Sequence, residues 1–180
     1  SSLAGKILRI NPDGTIPDDN PFDSSPIFSY GHRNPQGIAW SDDGLLVSSE
    51  HGPSGEMGYG HDEINVIVKG KNYGWPKVVG DSSDDSFVNP IIHSGESTWA
   101  PSGMIFFDSN KIPSFEGKFL VGALRGQHVM IVDVADDGSL INTEKMFEGE
   151  FGRIRTAQVG PDGILYLLTA NGDNDKIIRI

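Results

Sequence analysis

Apolar residues recur at every second position in short runs along nearly the whole chain, and this period builds strands, not long helices. The runs are residues 6–10 (KILRI), 45–50 (LLVSSE), 63–68 (EINVIV), 118–124 (KFLVGAL), 128–134 (HVMIVDV), 164–170 (ILYLLTA) and 176–180 (KIIRI). Turn residues bound each of them, and no stretch carries a capped helical stripe. The expected class is all-β. Asp-Gly pairs, a strong hairpin signal, stand at Asp13-Gly14, Asp43-Gly44, Asp137-Gly138 and Asp162-Gly163. Two of them share a frame: GIAW-SDDG-LLVSSE (37–50) matches AQVG-PDG-ILYLLTA (157–170), and GMIFF with GKFLVGAL between them is the same hairpin with a longer loop. A further strand follows each hairpin. Three copies of a small antiparallel sheet are the pattern of propeller blades, with a β-sandwich of irregular hairpins as the competing arrangement.

Composition narrows the function. Lysine and arginine total 14 against 25 acidic residues, a net charge of −11, which speaks against a nucleic-acid surface and against docking on an anionic membrane. The chain contains no apolar run long enough to span a bilayer, and no segment of signal-peptide form opens it. It has no cysteine, which removes disulfides, thiolate zinc sites and thiol nucleophiles.

Three constellations could carry chemistry. In Gly31-His32-Arg33-Asn34-Pro35-Gln36-Gly37 a tight corner projects arginine and asparagine just before a strand, and arginine can clamp a carboxylate. The plainer alternative is a loop whose polar groups bond neighbouring carbonyls. In Ser49-Glu50-His51-Gly52-Pro53 a Gly-Pro corner turns carbonyl oxygens outward, and such oxygens are hard ligands suited to calcium. The glycines that follow, at 52, 55, 58 and 60, do not spell a dinucleotide motif. In Gly152-Arg153-Ile154-Arg155 strand alternation points both arginines to one face and Ile154 into a core. Arg125 caps another strand. Four of the six arginines (Arg33, Arg125, Arg153, Arg155) thus sit at strand corners, where a propeller places an anionic ligand.

The strings GKILRINPDGTIPDDNPF, YGHRNPQGIAW, SSEHGP, DEINVIVKGKNYGWP and APSG occur in that order and resemble the soluble aldose sugar dehydrogenases that depend on pyrroloquinoline quinone (PQQ). These form the glucose/sorbosone dehydrogenase family of six-bladed β-propellers. The resemblance implies that residues 1–180 are one partial propeller domain of about three C-terminal blades. It implies oxidation of the C1 hydroxyl of an aldose to a lactone, with PQQ and calcium as cofactors and an external electron acceptor. Arg33 and Asn34 would contact the quinone, Gly52 and Pro53 would offer carbonyls to its calcium, and Arg125, Arg153 and Arg155 would meet its carboxylates. Trp99 and Ala100 would line the pocket. A second calcium would use Glu63 and Tyr73, the latter through its carbonyl. Glucose-oxidising relatives have glutamine where this chain has His51, also counted here among the cofactor-binding residues. The family's general base is a histidine expected upstream of Ser1, so no catalytic residue is assigned and the isolated chain is expected to be inactive. Periplasmic or extracellular placement follows from the relatives alone. A non-catalytic propeller module and a lactonase-like hydrolase are the competing functions, the latter disfavoured by the cationic corners.

Overall fold

The computed structural model describes residues 2–53 and 60–180; Gly55 and Gly58 lie outside the described residues. Among these every regular element is a strand. Among the described residues no helix is long and apolar enough to cross a membrane. The first blade is the antiparallel sheet β3 (Pro35–Trp40), β4 (Leu46–Glu50), β5 (Glu63–Val66) and β6 (Ile92–His93), in that order. The second is β7 (Pro101–Phe107), β8 (Lys118–Ala123), β9 (His128–Val134) and β10 (Leu140–Met146), and the third is β11 (Ile154–Val159), β12 (Leu165–Thr169) and β13 (Ile177–Arg179). A separate ladder pairs β1 (Lys6–Leu8) with β2 (Ile27–Tyr30). The three expected blades are therefore present, with two differences: the first two carry a fourth strand, and the chain before them forms its own pair.

Alternation builds the core from the second blade outward. Phe119, Val121, Met130 and Val132 face the first blade and pack with Ala39, Val47, Ile64 and Met104. Leu120, Val129 and Ile131 face the other way and pack with Ile154, Ala157, Leu165 and Leu167 of the third blade. Neighbouring residues of one strand thus enter two cores, the signature of a sheet buried on both faces. Each buried aliphatic side chain contributes about 1.5–3 kcal/mol on transfer from water.

The Asp-Gly pairs all close the same turn. The amide of Ser41 donates to Leu45 O and that of Gly44 to Ser41 O; the bonds repeat at Asn11/Thr15, Ala135/Ser139 and Gly160/Ile164. The glycines take φ of 75° to 85°, a conformation that costs glycine little. Asp13 and Asp137 each accept from the hydroxyl and then from the backbone N–H of the residue two on, and those bonds, the hydroxyl first, hold their carboxyls below the usual range.

Candidate functional site at one end of the blades

Close approach between inner strands sets their relative height. A Cβ on Gly37 of β3 would meet Ser102 O and Met104 Cβ of β7, and one on Gly103 would meet Thr156 and Arg155 O of β11. The starts of the three inner strands, at residues 35, 101 and 154, therefore lie at one level. Each start pairs with the end of the second strand of its blade: Pro35 with Glu50, Pro101 with Ala123 and Ile154 with Thr169. Arg33 and Asn34, His51 to Pro53, Trp99 and Ala100, Arg125, and Arg153 with Arg155 all flank these paired ends. The fold carries every candidate cofactor residue to the same end of the blades.

The corner before β3 is the most built-up part. Arg33 donates from Nη1 to His51 O at 3.2 Å and lies over the Trp75 ring at 5.6 Å from its centroid. The His51 amide donates back to Asn34 O at 3.1 Å, so the GHRNPQG and SSEHGP segments are laced together. Asn34 is exposed, and its Oδ1 accepts from Gln36. Arg33, His51, Gly52, Pro53, Glu63, Tyr73 and Trp75 border one small cavity. Gly52 abuts the backbone of Gly60 and His61, and a Cβ there would collide with it.

Behind the corner lies a polar interior that the sequence does not announce. Glu50 and Glu63 are direct cross-strand neighbours on β4 and β5, and both are buried. Burial first, and the neighbouring Glu50 charge second, push the Glu63 carboxyl up to about 8. Asn65 Nδ2 donates to Glu63 Oε2 at 3.1 Å and Gly80 N to Oε1 at 3.1 Å, while Glu50 Oε2 is buried without a hydrogen bond. His32 is 1 % exposed; it bonds Ser29 at 2.8 Å, stacks on Tyr73 at 4.5 Å and brings Nδ1 to 3.5 Å from Glu50 Oε2. It is part of the interior and does not face the corner's surroundings as a base would. The Tyr73 hydroxyl donates to Val66 O at 2.6 Å and accepts from Val68 N at 2.9 Å, so a ligand role falls to its carbonyl.

These residues fit a hard cation on two counts. Two facing buried carboxyls offer a divalent ion hard oxygen donors, and carbonyl oxygens complete such a site. Among the described residues no group of three or more histidine, aspartate or glutamate side chains could hold a metal, so an ion bound here would need backbone oxygens as well.

The other cations reach different partners. Arg153 Nε donates to Ala170 O at 3.0 Å within its own blade, whereas Arg155 Nη1 donates to Ser102 Oγ at 3.3 Å on the neighbouring blade. Arg155 sits at a register shift of β11, and Ile154 between them is fully buried, as strand alternation predicts. Arg125 is exposed just beyond β8; its amide, with that of Gly126, donates to Trp99 O. Ala100 takes a φ of 49° and accepts from Leu124 N.

Comparison with known proteins agrees with the fold. A family model for glucose/sorbosone dehydrogenases matches residues 1–179, and the chain belongs to that family of propellers. Aldose sugar dehydrogenase YliI of Escherichia coli is 39% identical over 97% of this chain and 50% of its own length. Quinoprotein glucose dehydrogenase B of Acinetobacter calcoaceticus is 52% identical over 86 residues, which are 46% of this chain and 17% of that protein. The PQQ-bound aldose sugar dehydrogenase of Streptomyces coelicolor superposes with a TM-score of 0.83 at 35% identity, covering 99% of this chain and 52% of that one. The chain spans about half the length of the curated relatives it matches.

Proposed function

We propose that this chain forms the PQQ- and calcium-binding blades of an aldose dehydrogenase that oxidises the C1 hydroxyl of an aldose to a lactone. The observation that carries the proposal is the common level of the three inner strands, which gathers Arg33, Gly52, Trp99, Arg125 and Arg155 at one end. The PQQ-bound relative, 35% identical, supports the choice of cofactor.

Bound PQQ supplies the two-electron quinone chemistry that amino-acid side chains lack. The chain's own residues bind and orient. Arg33, stacked over Trp75 and tied to the His51 carbonyl, is fixed before any ligand arrives and holds its positive charge at the corner. Asn34 adds an exposed amide beside it. Arg125, Arg153 and Arg155 supply positive charge toward the cofactor carboxylates, and Trp99 with Ala100 forms a wall. The Gly52 and Pro53 carbonyls would hold the calcium of the cofactor, and Glu63 with the Tyr73 carbonyl a second ion.

The proton of the sugar hydroxyl needs a base. Of the five histidines, His32 and His128 are 1% exposed, His61 and His93 stack on each other at 5.4 Å, and His51 has its Nε2 buried without a hydrogen bond while its carbonyl holds Arg33. We place the base on blades outside these 180 residues. Calorimetric titration with PQQ, with and without calcium, tests the cofactor assignment: saturable binding that calcium strengthens is expected, and no binding with calcium present overturns it. A dye-coupled assay with aldoses tests the base: the chain alone should turn over no sugar, and turnover would place the base within it.

A further inference from the structure

Asp62, 2% exposed, has no part in the ligand set above, yet its carboxylate joins two segments of it. Oδ1 accepts from Gly52 N at 3.0 Å. Oδ2 accepts from Thr98 Oγ1 at 2.7 Å, Trp99 N at 2.6 Å and Ala100 N at 2.8 Å. The backbone of Asp62 is itself fixed, since its amide donates to Ser94 Oγ and its carbonyl accepts from Ser94 N, both at 2.9 Å. The connection continues outward: Trp99 O accepts from Arg125 N at 3.1 Å and Gly126 N at 2.9 Å.

A turn-capping aspartate bonds amides close to it in sequence, as Asp13 and Asp137 do. Asp62 instead bridges a corner 10 residues before it and a segment 36 to 38 residues after it. Four bonds to a buried anion are charge-assisted and directional, so each segment is held in place by the other's anchor. We infer that Asp62 is a positioning residue, whose carboxylate locks the Gly52–Pro53 carbonyls and the Trp99–Ala100 wall into one unit for cofactor and metal. The inference rests on the PQQ and calcium assignment proposed above.

The test uses the chain with Asp62→Asn, with Thr98→Val as a milder variant that removes one of the four bonds. Val132→Ala, in the core between the first and second blades, controls for general loss of stability. Amide hydrogen exchange without cofactor should show Gly52, Trp99 and Ala100 losing protection together in both site variants, whereas Val132→Ala spreads its effect over the sheets. Calorimetry with PQQ and calcium should show Asp62→Asn weakening binding by ~10–100-fold, as loss of a group that orients metal ligands does. The control should stay within about twofold, since its packing defect lies away from the corner. Loss of protection at Gly52 alone, or at Trp99 and Ala100 alone, overturns the coupling. So does an Asp62→Asn chain that binds PQQ as the unaltered chain does. If the unaltered chain binds no PQQ, the functional proposal fails, while joint deprotection still supports Asp62 as the link between the two segments.

Discussion

Glu50 and Glu63 face each other across β4 and β5, and their proximity shapes how the fold responds to pH. Unfolded, Glu63 loses its proton near 4.5; folded, it keeps it to about 8. Between those values the folded state binds more protons than the unfolded state. The Glu63 contribution to stability is therefore full below 4.5 and is lost as pH rises toward 8, at up to about 1.4 kcal/mol per pH unit. Asp13 and Asp137, whose carboxyls are held low, act at acid pH below this window. His128 works against Glu63 up to the ordinary histidine range, because burial lowers its pKa and favours the neutral form. Glu50→Gln separates the contributions. It removes the neighbouring charge and leaves His128 untouched. Urea unfolding at a series of pH values should show a flatter decline for the variant than for the unaltered chain across pH 4.5 to 8. Parallel curves would mean that the Glu50 charge has no part in holding the Glu63 proton.

At the level of strands, the decisive contact is glycine against backbone. A methyl on Gly37 would stand 2.6 Å from Ser102 O and 2.7 Å from Met104 Cβ, and neither partner can swing aside as a flexible side chain would. Gly37→Ala should therefore push β3 from β7 and lower stability by about 1–3 kcal/mol, the usual range for overpacking. Its thermal midpoint should fall below that of Gly44→Ala, whose added methyl meets nothing within 4 Å although alanine is strained at a φ of 85°. Equal midpoints would show that the inter-strand contact is soft. Much of this architecture was legible beforehand. The period of two marked the second and third strands of each blade, the repeated frame marked the inner ones, and Asp-Gly pairs marked the β3–β4, β9–β10 and β11–β12 turns. The outer β10 escaped because solvent bathes most of it: Leu140, Thr143 and Met146 are half-buried every third residue, so LINTEKM shows no alternation. β6 is two residues long and shows no period at all. Arg33, Gly52 and the Arg153/Arg155 pair could be picked out because corner chemistry is local. The Glu50–Glu63 pairing and the reach of Asp62 to residues 98–100 could not, since both depend on which strands and loops meet.

Over the whole molecule, charge is unevenly spread. The chain carries −11, yet four of its six arginines flank the paired strand ends. An anionic ligand approaching that end meets local positive charge against a repulsive background, and the two respond differently to salt. The Debye length is about 8 Å at physiological ionic strength, so exposed guanidinium groups are screened while enclosed ones are screened far less. Arg153 is exposed and Arg33 is half-buried over the Trp75 ring. If PQQ is the ligand, Arg153→Ala should weaken its binding by less than about tenfold, in keeping with the ~0–1 kcal/mol of exposed charge pairs. That loss should shrink as sodium chloride is raised. Arg33→Ala should cost more and the difference should persist in high salt, because a preorganised guanidinium is lost along with its charge. Calorimetric affinities of the three chains at low and high salt decide the matter. Equal, salt-insensitive losses at both positions would show that burial does not rank the arginines, and that the positive end does not act as a graded electrostatic funnel.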